Sequence, residues 1–266
     1  MSKFVVIVFP TEDKAYQATR ELKELHAEGS LTVYGVSVIA KDAQGKLSIK
    51  DSADAGPLGA GVGALVGGLA GLIAGPFGAL AGVTTGAYLG MLADIFNLGI
   101  GQDFVAKVSD ELGQGKTAVI AEIDEDWTTP LNTRMESLGG SVLRTWRSDF
   151  EDERIAQEVA AEKADFEQLQ REYAQASAEA KTKLKARLDQ AKADLAQAQK
   201  RLNTRLDSLE KERTAKIAAL EQQVTKAQTA AKEEIKRRVD TARADYQIRS
   251  AKLKQAWAMT KEALAA

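Results

Sequence analysis

Residues 59–90 read GAGVGALVGGLAGLIAGPFGALAGVTTGAYLG. Eleven of the chain's 21 glycines fall here and no charge does, in a protein that is 28% charged over its whole length. The glycines keep a phase: Gly59, Gly63, Gly67, Gly71 and Gly75, then Gly78, Gly82, Gly86 and Gly90, each series in steps of four. Residues four apart share a helix face, so each series makes a notch that another helix backbone can approach closely, with a crossing of roughly −40 to −50°. Gly75–Pro76 is expected to break the run. The spacing therefore predicts a glycine-zipper helical hairpin, with arms near 58–74 and 77–93. A flexible glycine linker would not hold a four-residue phase.

Each arm, about 17 residues, would extend roughly 25 Å, the lower edge of a membrane-spanning length. Its large apolar residues supply only about −2 to −4 kcal/mol of insertion energy, and glycine offsets part of that. Insertion is marginal for one arm and feasible for a packed hairpin, so a lipid bilayer is the expected partner. The competing reading is a zipper buried between subunits of a soluble homo-oligomer.

Outward from this segment, the N-terminal half alternates short strands and helices. KFVVIVFP (3–10) is an apolar strand closed by Pro10. The helix that follows can be capped by Thr11, repeats Ala15, Ala18, Leu22 and Leu25 at helical spacing, and stops at Gly29. LTVYGVSVIAKD and KLSIKD read as strands joined by a turn at DAQG. After the glycine segment come DFVAKVSDEL (helix), KTAVIAEID (strand), TPLNTRMESL (helix) and SVLRTWR (strand). This order predicts an α+β fold, a ferredoxin-like α/β sandwich with one added strand and an inserted hairpin. The expected domains are 1–54 with 95–148, then 55–94, then the tail 149–266.

The tail holds no glycine or proline and is rich in Ala, Lys, Glu, Gln and Arg, the composition of long helix. Apolar residues recur in steps of eleven: Leu184, Leu195, Leu206, Ile217 and Val239, interrupted by Gln228; Leu209, Leu220, Ala231, Ala242, Leu253 and Leu264; Leu202, Val224, Ile235, Tyr246 and Trp257, interrupted by Arg213. Eleven residues over three turns gives a nearly straight or slightly right-handed coil. An unbroken helix of this length would leave its apolar stripe wet and need a partner. Self-association through these residues as a coiled coil is expected; a helix lying flat on lipid is the alternative. A fold-back near LNTRLDS is disfavoured because nothing there breaks a helix.

Composition narrows the chemistry. The net charge of −2 exerts no global pull on nucleic acid or anionic lipid, and in the tail acids interleave with the bases, so no nucleic-acid partner is expected. The absence of cysteine excludes disulfides and thiol catalysis. The first residues read as a strand rather than a signal peptide. His26, the single histidine, is read as a cap or surface residue at a helix end rather than a base. In EIDEDW, alternation puts Glu122, Asp124 and Asp126 on one face; a hard-cation site is conceivable, and a solvated strand end is the plainer reading. Trp127 and Trp146 are expected to pack in the α/β domain. No catalytic, cofactor, metal or small-molecule site is assigned.

KFVVIVFP, LKELHAEGSLTVYG, DAGPLGAGVGALVGGLAGLIAGPFGALAG, DFVAKVSDELGQGKTAVIAEIDEDWTTPLNTRMESLGG and RTWRSD together resemble a bacterial family of unknown function described as predicted membrane proteins. The resemblance covers residues 1–148. It implies an α/β domain carrying a glycine-rich hairpin, implies no activity, and leaves the tail outside it. The expected function is a non-enzymatic, self-assembling, membrane-associated protein on the cytoplasmic side of the inner membrane, its tails bundling as a stalk or scaffold. A soluble cytoplasmic scaffold and a small-ligand sensor on the ferredoxin-like sheet are the alternatives.

Overall fold

The structure, a computed structural model, describes residues 2–52, 56–78, 100–147 and 150–265. The elements are β1 (Lys3–Phe9), α1 (Glu12–Glu28), β2 (Leu31–Lys41), β3 (Leu47–Asp51), α2 (Ala60–Gly78), α3 (Gln102–Glu111), β4 (Thr117–Glu125), α4 (Thr129–Ser137), β5 (Ser141–Trp146), α5 (Phe150–Gln175), α6 (Ala178–Lys226) and α7 (Thr229–Ala265). They fall into two compact units, one of residues 1–148 with 212–243 and one of residues 149–211 with 244–266.

The first unit is built on a five-stranded antiparallel sheet in the order β3-β2-β4-β1-β5. β4 is paired on both sides, with Val6 opposite Ile120 in β1 and Val38 opposite Val119 in β2. Alternation along β1 and β4 gives the sheet two apolar faces. One carries Phe4, Val6, Val8, Ala118 and Ile120 against Val62, Leu65, Val66 and Leu69 of α2 and Phe104, Val105 and Val108 of α3. The other carries Val5, Ile7, Phe9, Val119, Ala121 and Ile123 against α1 and α4. A fully buried Leu or Val contributes about 1.5–3 kcal/mol, so these two layers supply much of this unit's stability.

Local signals act as the sequence indicates at α1. The Thr11 hydroxyl accepts a long bond from the Lys14 N–H (3.4 Å). Ala15, Ala18, Leu22 and Leu25 face the sheet, and Gly29 ends the helix in the left-handed region, φ 81°, its N–H returning to the His26 carbonyl. At the β2–β3 turn the Asp42 carboxylate accepts from the Gln44 and Lys46 N–H groups.

Two expectations need correction, the break at Gly75–Pro76 and the single helical rod of the tail. α2 runs from Ala60 through Pro76 to Gly78 without the break expected at Gly75–Pro76; a proline removes one hydrogen bond and kinks a helix, and neighbouring bonds can carry the turn on. The second arm of the expected hairpin, with Gly82, Gly86 and Gly90, lies outside the described residues. No helix among the described residues is long and apolar enough to cross a membrane. The tail is three helices rather than one rod, broken at Ala176–Ser177 and Ala227–Gln228. Neither site holds glycine or proline. Burial of apolar surface on both sides of a reversal outweighs the few hydrogen bonds lost at the break.

In the second unit α5, α6 and α7 pack side by side. Ile155 and Val159 of α5, Leu202 and Leu209 of α6, and Tyr246 and Leu253 of α7 share one core, continued by Phe166, Leu169, Leu195 and Ala263. The buried positions step by seven: Leu195, Leu202 and Leu209 in α6, and Arg249, Ala256 and Ala263 beside Tyr246, Leu253 and Thr260 in α7. This is the spacing of knobs-into-holes bundles. The eleven-residue reading missed it, because alanine and polar residues occupy many of the seven-step positions.

Candidate functional site

The unit that holds the sheet contains a cluster of buried charges, built where β4 leaves its apolar stretch. Glu122 and Asp124 follow Ala118 and Ile120 onto the α2/α3 face by alternation, and both are buried. The expectation of a solvated strand end is therefore overturned. The reason is supplied by distant chain: Lys216 of α6 places its ammonium 3.9 Å from Glu122 Oε1 and 3.9 Å from Asp124 Oδ2. The same ammonium donates to Ser2 Oγ at 2.8 Å and lies 4.3 Å from the Tyr34 ring centre. Tyr34 in turn donates its hydroxyl to Asp124 Oδ2 at 2.6 Å. Arg147, just beyond β5, donates to Glu122 Oε1 at 2.7 Å and pairs with Glu212 of α6 at 2.8 Å.

Among the described residues, the carboxylates of Glu122, Asp124 and Glu212 thus lie with the cations of Lys216 and Arg147 in a largely buried space. Coulombic attraction is strong there and so is the cost of leaving any member alone. Gly61 of α2 forms the lid over Glu122. A Cβ at that position would lie 2.8 Å from Glu122 Oε2, an oxygen buried without a hydrogen-bond partner, and 3.2 Å from the Phe4 ring. On the opposite face, Glu125 is clamped by Arg144 (2.7 and 3.3 Å) and by Lys3 at 3.2 Å. Among the described residues no group of three or more His, Asp or Glu is arranged to hold a metal ion.

A second, polar seat lies at the C-terminal end of α1. Gln223 of α6 donates to the carbonyls of His26 (2.6 Å) and Leu31 (2.8 Å) and accepts from the Thr32 hydroxyl at 2.6 Å. Arg238 of α7 donates to the carbonyls of Gly29 and Ser30 and to Asp126 at 2.7 Å. His26 is half-buried rather than on the surface, and its Nδ1 accepts the Val33 N–H at 3.1 Å. Burial, with Lys226 and Arg238 nearby, holds its imidazole below the ordinary histidine range. The neutral form with hydrogen on Nε2 is the one this geometry selects.

The second unit has its own ionic layer, one side chain from each helix. Asp152 of α5 accepts from Arg205 of α6 at 2.6 Å and from Arg249 of α7 at 2.7 Å. Asp152 and Arg249 are buried. A polar layer in an otherwise apolar bundle fixes which residues lie at the same height.

The residues expected to join chains or helices are placed as follows. Gly59 is buried, Gly67 and Gly71 are half-buried, and Gly63 is exposed with no atom within 4 Å of where its Cβ would be; Gly75 and Gly78 lie in the last turns of α2. Leu184, Leu195, Leu202, Leu206, Leu209, Tyr246, Leu253 and Trp257 pack inside the second unit. Ile217, Leu220, Val224, Ile235 and Val239 pack with Tyr34 and Leu58 in the first. These residues of the stripe pack within their own chain, with Leu184, Leu206, Ile217, Val224 and Trp257 half-buried. Trp127 and Trp146, expected to pack, are 73% and 58% exposed; Trp146 lies 4.7 Å from the Lys3 ammonium.

Sequence reasoning missed Lys216, Glu212, Arg147, Gln223 and Arg238. Lys216 and Gln223 continue the seven-residue step of Leu195, Leu202 and Leu209, so polar residues at core positions were the available signal.

The fold and its sites define a mixed α/β protein with a five-stranded antiparallel sheet and a long helical C-terminal region. Residues 60–160 match the model of a family described as a protein of unknown function (DUF1269). That match runs from α2 into α5, whereas the resemblance read from the sequence covered residues 1–148. No curated protein and no solved structure matches the chain.

Proposed function

We propose that this protein is a non-enzymatic, self-assembling scaffold whose contact surface is the glycine flank of α2, packed zipper-fashion against a second copy. One observation carries the reading. α2 puts Val62, Leu65, Val66 and Leu69 on the sheet and leaves Gly63 exposed with open space around its would-be Cβ. An uncharged helix that turns a smooth backbone flank outward is suited to close helix–helix contact. The apolar stripe of the tail is packed within its own chain, so the tail is assigned to holding the protomer together rather than to joining protomers. A non-catalytic role is consistent with the buried charges, which Lys216, Arg147 and their carboxylates direct at one another.

We further read the sheet as a ferredoxin-like sandwich. β1 and β2 both lie antiparallel to β4, which separates them, as in a split βαβ unit, and β3 is then the added edge strand.

The test is the mass of the assembly. Light scattering on the full chain should give a multiple of the 28.6 kDa protomer, and Gly63→Leu, at an exposed position with open space around a Cβ, should reduce it to the protomer with unchanged circular dichroism. A protomer mass for the unaltered chain, or an unchanged assembly in Gly63→Leu, rejects the proposal. Pelleting of the monomeric chain with phospholipid vesicles would redirect the flank to lipid.

A further inference from the structure

We propose that the seat of the α6–α7 tip on the end of α1 is an acid-sensitive latch, which protonation of His26 releases. The tip is the reversal at Ala227–Gln228 with the helix turns on either side. It sits close: a Cβ on Gly29 would lie 2.6 Å from Ala231 Cβ of α7. It grips this corner both through apolar contact of Ala227, Ala231 and Ile235 with Tyr34 and Leu58 and through polar bonds, from Gln223 to the His26 and Leu31 carbonyls and from Arg238 to the Gly29 and Ser30 carbonyls.

His26 is placed under that grip. Its Nδ1 is occupied by the Val33 N–H, so a second proton can enter only if this bond is given up. The charged groups facing it are Lys226 of α6 and Arg238 of α7, both carried by the tip; Asp126, after β4, is turned to Arg238. A charged imidazole would meet two cations and one fewer hydrogen bond while the tip is seated, and neither cation once it leaves. With the tip seated, burial and these cations lower the His26 affinity for a proton; released, it returns towards the ordinary value of about 6.5. The seat is therefore fully held above that ordinary value and weakens as pH falls from it towards the seated value.

The chain has no cysteine, so two can be introduced for labelling: Lys23→Cys on α1 and Thr229→Cys at the tip, both exposed positions. Energy transfer between the labels on the full chain should show a reversible lengthening between about pH 7.5 and about pH 5. His26→Gln, which can still accept the Val33 N–H and takes no charge, should abolish the lengthening. Lys226→Glu, which replaces a facing cation with an anion, should diminish it. Amide protection of β4 should persist through the same range. No lengthening in the labelled chain, an equal lengthening in His26→Gln, or loss of β4 protection at the same pH overturns the latch.

Discussion

β4 and α2 lie against each other in one unit and invert the usual relation of charge to burial. β4 ends in three carboxylates within four residues, Glu122, Asp124 and Glu125, and is buried along its whole length. α2 has no charge at all, yet one flank of it, at Gly63, is exposed. The difference lies in what the rest of the chain brings. Lys216, Arg147, Arg144 and Lys3 are delivered to the strand, while among the described residues no atom lies within 4 Å of where a Cβ on Gly63 would be. Burial of a charge is decided by its partner, and exposure of a small apolar residue costs little.

The strand side of this comparison should break most sharply at Lys216. Lys216→Met leaves Glu122 and Asp124 short of a cation in a closed space and should cost about 3–5 kcal/mol, read from a urea titration followed by circular dichroism. A loss below about 1 kcal/mol would mean that water reaches the carboxylates. Asp152→Ala asks the same question of the helical unit. It leaves Arg205 and Arg249 facing each other and should cost a similar amount, about 3–5 kcal/mol, whereas replacing all three by leucine should restore or exceed the original stability. Hydrogen exchange over residues 195–209 measures both.

The helix side is tested by two neighbouring glycines. Gly61→Ala forces a methyl into Glu122 and Phe4 and should cost about 1–3 kcal/mol. Gly63→Ala meets nothing and gains helix propensity, so it should stabilise dilute protein by about 0.5–1 kcal/mol. Equal effects at the two positions would show that the two flanks of α2 do not differ. The smallest effect is on pH dependence. His26 contributes stability above its ordinary range that fades on acidification, so the melting temperature of His26→Gln should fall less than that of the unaltered chain between neutral pH and about pH 5.

Much of the α/β unit was legible. Thr11, Gly29, the Asp42 turn and the alternation in β1 and β4 are local signals whose effect is exerted within a few residues. The site was not, because its members are far apart in sequence: Gln223 is separated by 191 residues from Thr32, and Lys216 by 214 from Ser2. EIDEDW looked solvated because its counter-charges lie in the tail and beyond β5.

Taken alone, the sequence determined the kinds of elements and their order: strand and helix periods, the helical composition of the tail, and the four-residue phase of the glycines. These follow from side-chain sterics and from apolar spacing, which act over a turn or a pleat. Only the tertiary structure decided that the tail reverses twice, that its polar core positions complete a buried cluster on β4, and that Gly61 faces Glu122 while Gly63 faces outward. Each of those is a choice between covering surfaces, made by the summed free energy of burial and charge pairing over segments up to 214 residues apart. No local pattern encodes that sum.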